Sequence, residues 1–177
     1  MAKPALKIIA FDMDGTITKE RSSWEYLHRR LGIWEKQANI YQDRFLQGKI
    51  SYEEFCRLDA AMWKDIPLER VKSILKDIKI KPEALALIQT VVSLGGKTVL
   101  LSTGLKTLAD IVQQHFNFWF YQANELLCHN GILTGNCKVN VSTDAPGKTK
   151  GAYLEKLMAQ LGASPQETVA VGDSAGD

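Results

Sequence analysis

Apolar and polar positions along the chain follow two different periods, and the switches between them outline the fold. Ile8 to Phe11 is an unbroken apolar run, the pattern of a strand buried on both faces of a parallel sheet. Residues 98–101, 118–123 and 168–171 read as further strands. Elsewhere apolar residues recur at helical spacing. After the first strand, helices are predicted over about 22–32, 34–47, 51–64 and onward from Pro67. Ser22-Ser23-Trp24-Glu25 and Ser51-Tyr52-Glu53-Glu54 have capping-box spacing, and Pro67 suits a first helical position. Later helices are predicted over 82–94, closed by Gly95-Gly96, over 106–116, and from the 146–150 loop to about 161. Asn130-Gly131 signals a type I′ hairpin with arms 126–128 and 132–134. Residues 164–167 sit too close to the strand at 168–171 to begin a long helix.

Strands alternating with helices predict a doubly wound parallel α/β sheet. Four helices with short loops right after the first strand predict a small antiparallel bundle. The expected division is an α/β core of residues 1–17 and 81–177 and a helical cap of residues 18–80. Leaving the sheet where it does, the cap should lie over the strand ends as a lid. Its aromatic residues (Trp24, Tyr26, Trp34, Tyr41, Phe45, Tyr52, Phe55 and Trp63) read as bundle core.

Composition narrows the function classes. The 177 residues are 45% apolar and 24% charged, ordinary for a soluble globular protein. A net charge of +2 gives no footprint for nucleic acid, and His28-Arg29-Arg30 reads as a solvated helix face. Cys56, Cys128 and Cys137 form no C-x-x-C pair, which indicates neither a disulfide framework nor zinc and suits a reducing compartment. Lys3 and Pro4 precede only a strand-length apolar run, so no signal peptide is expected. No stretch has the length of a membrane span. A cytoplasmic protein is expected, with no nucleic-acid or membrane partner.

The chemistry gathers at strand ends. Asp12 and Asp14 follow the first strand, two residues apart, before Gly15. Unpaired carboxylates are costly in a core, but this position faces the crevice where open α/β sheets bind ligands. Ser102-Thr103-Gly104 follows another strand, and Asp173 and Asp177 follow the last. Several carboxylates in one crevice demand a cation. Oxygen-only donors suggest a hard ion, and Mg²⁺ suits a site that also holds phosphate. The Ser102 hydroxyl, with free N–H groups at Thr103 and Gly104, offers an anion cradle at a helix start. Lys148 and Lys150 are the candidate lysines.

Asp12-Met13-Asp14-Gly15-Thr16, Ser102-Thr103-Gly104, a lysine and Gly172-Asp173-Ser174-Ala175-Gly176-Asp177 together resemble the haloacid dehalogenase superfamily. The resemblance covers the whole chain. The helical insert, Ala123-Asn124-Glu125-Leu126, the Gly131 hairpin and the phrase at 168–173 resemble its phosphoserine-phosphatase-like branch. It implies a Mg²⁺-dependent phosphomonoesterase acting on a small phosphorylated metabolite. Asp12 would be the nucleophile, forming an aspartyl-phosphate, and Asp14 the general acid and base, its backbone carbonyl facing the metal. Ser102, Thr103 and Gly104 would bind phosphoryl oxygens. Lys150 fits the branch better than Lys148, because Lys150-Gly151-Ala152-Tyr153-Leu154-Glu155-Lys156 matches the run around its catalytic lysine. Asp173 would complete the metal site, with Asp177 as ligand or lysine orienter.

Two departures qualify the match. Where the branch uses a glutamate and a cap arginine to read the amino acid, ungapped alignment gives Arg21 and Asp59, with Glu20 one residue off. These three residues are expected to set specificity, and the substrate is left open, phosphoserine included. The branch also continues past Asp177 with a helix and at least one more strand, so an exposed apolar edge is expected, with lowered stability or self-association through it. A phosphotransferase or mutase, and a non-catalytic domain holding Mg²⁺ and phosphate, are the alternatives.

Overall fold

The computed structural model describes residues 6–174 and Asp177, apart from the side chain of Lys36. Lys3 and Pro4, and Ala175 and Gly176 of the last motif, lie outside the described residues. The apolar run that opens the chain forms β1 (Ile8–Phe11), with all four residues buried. It pairs in parallel with β2 (Lys97–Leu105) on one side and β5 (Thr168–Val171) on the other, Ala10 lying opposite both Val99 and Ala170. β3 (Phe120–His129) adds in parallel beyond β2, and β4 (Ile132–Lys138) returns antiparallel, giving the order β4-β3-β2-β1-β5. The sheet is thus the expected doubly wound one with an antiparallel edge. The run at 168–171 reads as fully buried but forms the opposite edge, where Val169 is exposed.

Side chains alternate across a strand, so β1 serves two cores. Ile8 and Ala10 pack with Val99, Leu101 and Leu157 of α7 (Lys150–Leu161). Ile9 and Phe11 face the larger core, with Ile88 of α5 (Pro82–Ser93) and Leu108 and Val112 of α6 (Lys106–Phe116). Helices on both faces leave the strand ends as the open edge.

Between β1 and α5 lie α1 (Ser23–Arg30), a π-helical turn (Trp34–Ala38), α2 (Asn39–Leu46), α3 (Tyr52–Ala61) and α4 (Leu68–Leu75). Ser22 and Ser51 accept the N–H groups of Glu25 and Glu54 at 3.1 and 3.2 Å. The two glutamates turn instead to Arg29 and Arg57, so these are single caps. A reciprocal box forms at Ser164 and Glu167, around a one-turn 3₁₀ helix. The predicted helix over 34–47 is broken into the π turn and α2, and no side chain caps its start. Pro67 sits one residue before the first turn of α4.

Backbone bonds fasten the insert at two places. At its neck Thr18 pairs with Ile80, and the N–H groups of Lys19 and Lys81 donate to the carbonyls of Lys79 and Ile17 at 2.9 and 2.8 Å. Farther out it meets the β3–β4 hairpin, whose tip residues Asn130 and Gly131 have φ of 50° and 77°, as a type I′ turn requires. The N–H groups of Asp65 and Leu68 donate to Leu133 and Gly131, and that of Leu133 to Ile66, at 2.8–2.9 Å. The readings at 118–123 and 126–128 are therefore one long strand, extended far enough to reach the insert.

Candidate active site

β2 is paired with β3 as far as Leu101, and the pairing resumes only at Leu105, opposite Asn124. Ser102, Thr103 and Gly104 are released from the ladder, although the chain stays extended through them. Ser102 is fully buried, and its hydroxyl accepts the Gly104 N–H at 2.9 Å. That N–H, expected to be free, is therefore already engaged. The Thr103 carbonyl accepts three donors: Trp24 Nε1 at 3.0 Å, the Tyr52 hydroxyl at 2.6 Å and Asn124 Nδ2 at 2.9 Å. Two of these come from the insert, so aromatic residues read as bundle core also brace the loop. Asn124 is itself clamped, its Oδ1 accepting the N–H groups of Asn140 and Val141 at 2.8 Å. None of the three donors was singled out for this role by spacing. A buried asparagine inside an apolar strand is the signal that could have found one of them.

Asp14 packs against this loop. Its Oδ2 accepts the Ser23 N–H at 2.9 Å and the Ser23 hydroxyl at 2.7 Å, and Ser23 Oγ accepts the Leu105 N–H at 2.9 Å. Only glycine fits at 104, because a Cβ there would run into Asp14 Oδ2 and Ser23 Oγ. Asp14 Oδ1 is buried with no hydrogen-bond partner among the described residues. Burial pushes the Asp14 carboxyl up to about 7, with the Ser23 bonds offsetting part of the effect.

The Asp12 N–H donates to Val171 at 2.9 Å, which sets the ends of β1 and β5 side by side. Lys150 Nζ donates to Asp12 Oδ1 at 2.5 Å and also reaches Asp177. Burial raises the Asp12 carboxyl, against the pull of Lys150. Burial also works against the Lys150 ammonium, but the Asp12 and Asp177 carboxylates outweigh it and hold the group above its ordinary value. Asp177 is desolvated too, yet Lys150 and Ser174 bring it below its ordinary value, the Ser174 N–H and hydroxyl donating to Oδ2 at 2.9 and 2.8 Å.

Asp12, Asp173 and Asp177 each offer an oxygen within 4.8 Å of the others. Three carboxylates against one ammonium leave surplus negative charge, and an all-oxygen donor set suits a hard divalent cation. Gly15, at φ +80°, allows the approach, since a Cβ would strike Asp173. The Asp14 carboxylate stands outside this cluster, turned to Ser23.

A cavity of about 360 Å³ opens over the cluster, walled on the core side by Asp12, Asp14, Thr103, Gly104 and Lys150. Trp24, Tyr52 and Phe55 of the insert line it, with Arg21 and Ser22 just before α1. The expected specificity residues separate here. Arg21 is on the wall. Glu20 is exposed and not on it, contributing its carbonyl to the Gly15 N–H at 2.6 Å. Asp59 is buried within the insert, 3.3 Å from His28 Nε2, because it shares an α3 face with Cys56 and Ala60. Ser102 lies beneath the wall rather than on it. Lys148 pairs with Glu53 at 3.1 Å on the surface, leaving Lys150 as the lysine at Asp12.

The haloacid dehalogenase-like hydrolase family profile matches residues 9–177. The phosphoserine phosphatase of Methanocaldococcus jannaschii is 29% identical over 171 residues, covering 97% of this chain and 79% of that protein. That of Idiomarina loihiensis is 31% identical over 170 residues, covering 96% and 75%. Of two longer phosphoserine phosphatases, from Archaeoglobus fulgidus and Vibrio cholerae, the chain spans about half, 48% and 52%. A solved phospho-aspartyl intermediate analogue of phosphoserine phosphatase superposes with a TM-score of 0.82 at 27% identity, covering 98% of this chain and 81% of that one. Sequence and fold agree over the same span, and the chain belongs to the haloacid dehalogenase-like hydrolase family, among its phosphoserine-phosphatase-like members.

Proposed function

We propose that the chain is a Mg²⁺-dependent phosphomonoesterase that hydrolyses a small phosphorylated metabolite through a phosphoaspartate on Asp12. Residues 1–17 and 81–177 act as the catalytic core and residues 18–80 as its cap. The observation that carries this reading is Asp12, held 2.5 Å from Lys150 beside Asp173 and Asp177 at the floor of the cavity.

Lys150 offsets the charge of Asp12, so that a phosphate can approach a carboxylate at all. An Asp12 oxygen attacks phosphorus, the bond to the alcohol oxygen breaks, and Asp14 gives that oxygen its proton. The unpartnered Asp14 Oδ1 is the atom free to carry this proton, and a carboxyl raised to about 7 holds it near neutral pH. Asp14 then takes a proton from the water that cleaves the phosphoaspartate. Thr103 and Gly104, with Ser102 beneath them, form the phosphoryl seat, and the three bonds to the Thr103 carbonyl keep it rigid. Asp12, Asp173 and Asp177, with the Asp14 carbonyl, would hold Mg²⁺, which when bound supplies positive charge to the phosphoryl oxygens.

The analogue held by the related solved structure supports an aspartyl-phosphate here. Cys56, Cys128 and Cys137 carry no disulfide, which suits a cytoplasmic enzyme. No helix of the described residues is long and apolar enough to cross a membrane. Hydrolysis of an aryl phosphate tests the reading. Turnover should require Mg²⁺ and fall by about 10⁴-fold or more in Asp12→Asn. Unchanged turnover in that variant would overturn the assignment.

A further inference from the structure

We propose that Arg21 selects phosphomonoesters whose leaving group carries a carboxylate, and that an ammonium group on it goes unread. This deepens the phosphatase reading and rests on it. The two ends of the cavity differ in what they offer. The core end holds the carboxylates and Lys150 and takes the phosphoryl group. The insert end must hold the rest of the substrate, and its polar groups are mostly committed. Trp24 Nε1 and the Tyr52 hydroxyl both donate to Thr103, and Tyr52 also accepts from Asn124. Ser22 Oγ caps α1, and Phe55 is apolar. Arg21 remains, an exposed guanidinium on the wall that takes part in none of the ion pairs among the described residues.

No acid of the insert is on the wall, and those next in the chain to its aromatic wall residues are spent. Glu25 is held by Arg29 at 2.7 Å, Glu54 by Arg57 at 2.7 Å and Glu53 by Lys148 at 3.1 Å. Asp59 is buried against His28, and Glu20 is not on the wall. An ammonium entering this end finds no insert carboxylate, whereas a carboxylate finds a guanidinium whose forked N–H groups match it. The rings of Trp24 and Phe55 offer an apolar wall to the carbon skeleton between the two charged ends. Phosphoserine, after which the relatives are named, carries both groups. On this argument only its carboxylate is read here. The competing arrangement seats an ammonium over a face of Trp24 or Phe55.

Four esters separate the two: O-phosphoserine, its des-amino analogue (the phosphate ester of 3-hydroxypropanoate), its des-carboxy analogue O-phosphoethanolamine, and ethyl phosphate. Loss of the carboxylate should lower kcat/KM by about tenfold, the scale of a solvent-exposed charged hydrogen bond, and loss of the amino group should not lower it. Arg21→Gln should abolish the carboxylate preference, Arg21→Lys should keep part of it, and Arg21→Glu should turn it towards O-phosphoethanolamine. The proposal is overturned if O-phosphoethanolamine outperforms the des-amino ester, or if Arg21→Gln leaves their ratio unchanged. Should no ester turn over, the same order is read from Kd by calorimetry. A binding preference without turnover would sink the phosphatase reading and support this one, and turnover without preference would do the reverse.

Discussion

Two clusters of buried acid and base sit in this molecule, one at the strand ends and one inside the helical insert. In the insert, His28 and Asp59 are 0% and 1% exposed, 3.3 Å apart, and Trp63 Nε1 donates to His28 Nδ1 at 3.2 Å. With Nδ1 accepting, the imidazole hydrogen is on Nε2, facing Asp59. One base meets one acid, surrounded by Trp24, Trp63 and Cys56. At the strand ends one lysine meets Asp12 and Asp177, with Asp173 and Asp14 close by, under a cavity that glycines keep clear. Buried titratable groups are common to both. A surplus of carboxylates over bases, facing open space, belongs only to the second, and it is this imbalance that suits a bound cation.

The comparison is open to attack by substitution. The largest effect on stability is expected from His28→Ala, which strands Asp59 and the Trp63 N–H in a closed core. Urea denaturation should show a loss of about 3–5 kcal/mol, and a loss under about 1 kcal/mol would mean the cluster is not closed. Lys150→Met should lower turnover by about 10²–10³-fold while costing less stability than His28→Ala, because the carboxylates it leaves can draw water from the cavity. Asp59→Asn sharpens the contrast through pH. Burial raises Asp59 above its ordinary value of 3.8, although His28 opposes this. The folded state thus holds the proton more tightly than the unfolded chain. The wild type should therefore lose stability relative to Asp59→Asn as pH rises from 3.8 through the folded value, by at most about 1.4 kcal/mol per pH unit. Paired melts across that range would show it, and a constant difference would refute it. Smallest of all, Lys148→Met, which removes only a surface pair, should leave both turnover and melting unchanged.

Much of the fold could be read from local pattern. β1, α6 and β5 begin and end where the apolar runs do, because each is bounded by a polar turn or a cap. β3 could not be read whole. Asn124 interrupts its apolar pattern, and alternation alone cannot tell a buried, clamped asparagine from the end of a strand. The acids were legible because strand ends in a parallel sheet share an edge, and Lys150, at the start of α7, because its run resembles that around the branch's catalytic lysine. The brace on Thr103 was not, since its donors lie 79, 51 and 21 residues away in sequence. Asp59 was misjudged by aligned position alone. Its spacing with Tyr52, Cys56 and Ala60 puts it on the buried stripe of α3, pointing inward.

The insert's two backbone fastenings restrict how Asp12 can be uncovered. Tethered at Thr18–Ile80 and again along the hairpin at Gly131 and Leu133, the bundle is a span resting on two piers. Rotation about a single axis would break one set of backbone bonds or the other. Between the piers the span is held again, Ser23 by Asp14 and the Leu105 N–H, and Tyr52 by Thr103 and Asp144, so the insert stands as a fixed roof over Asp12.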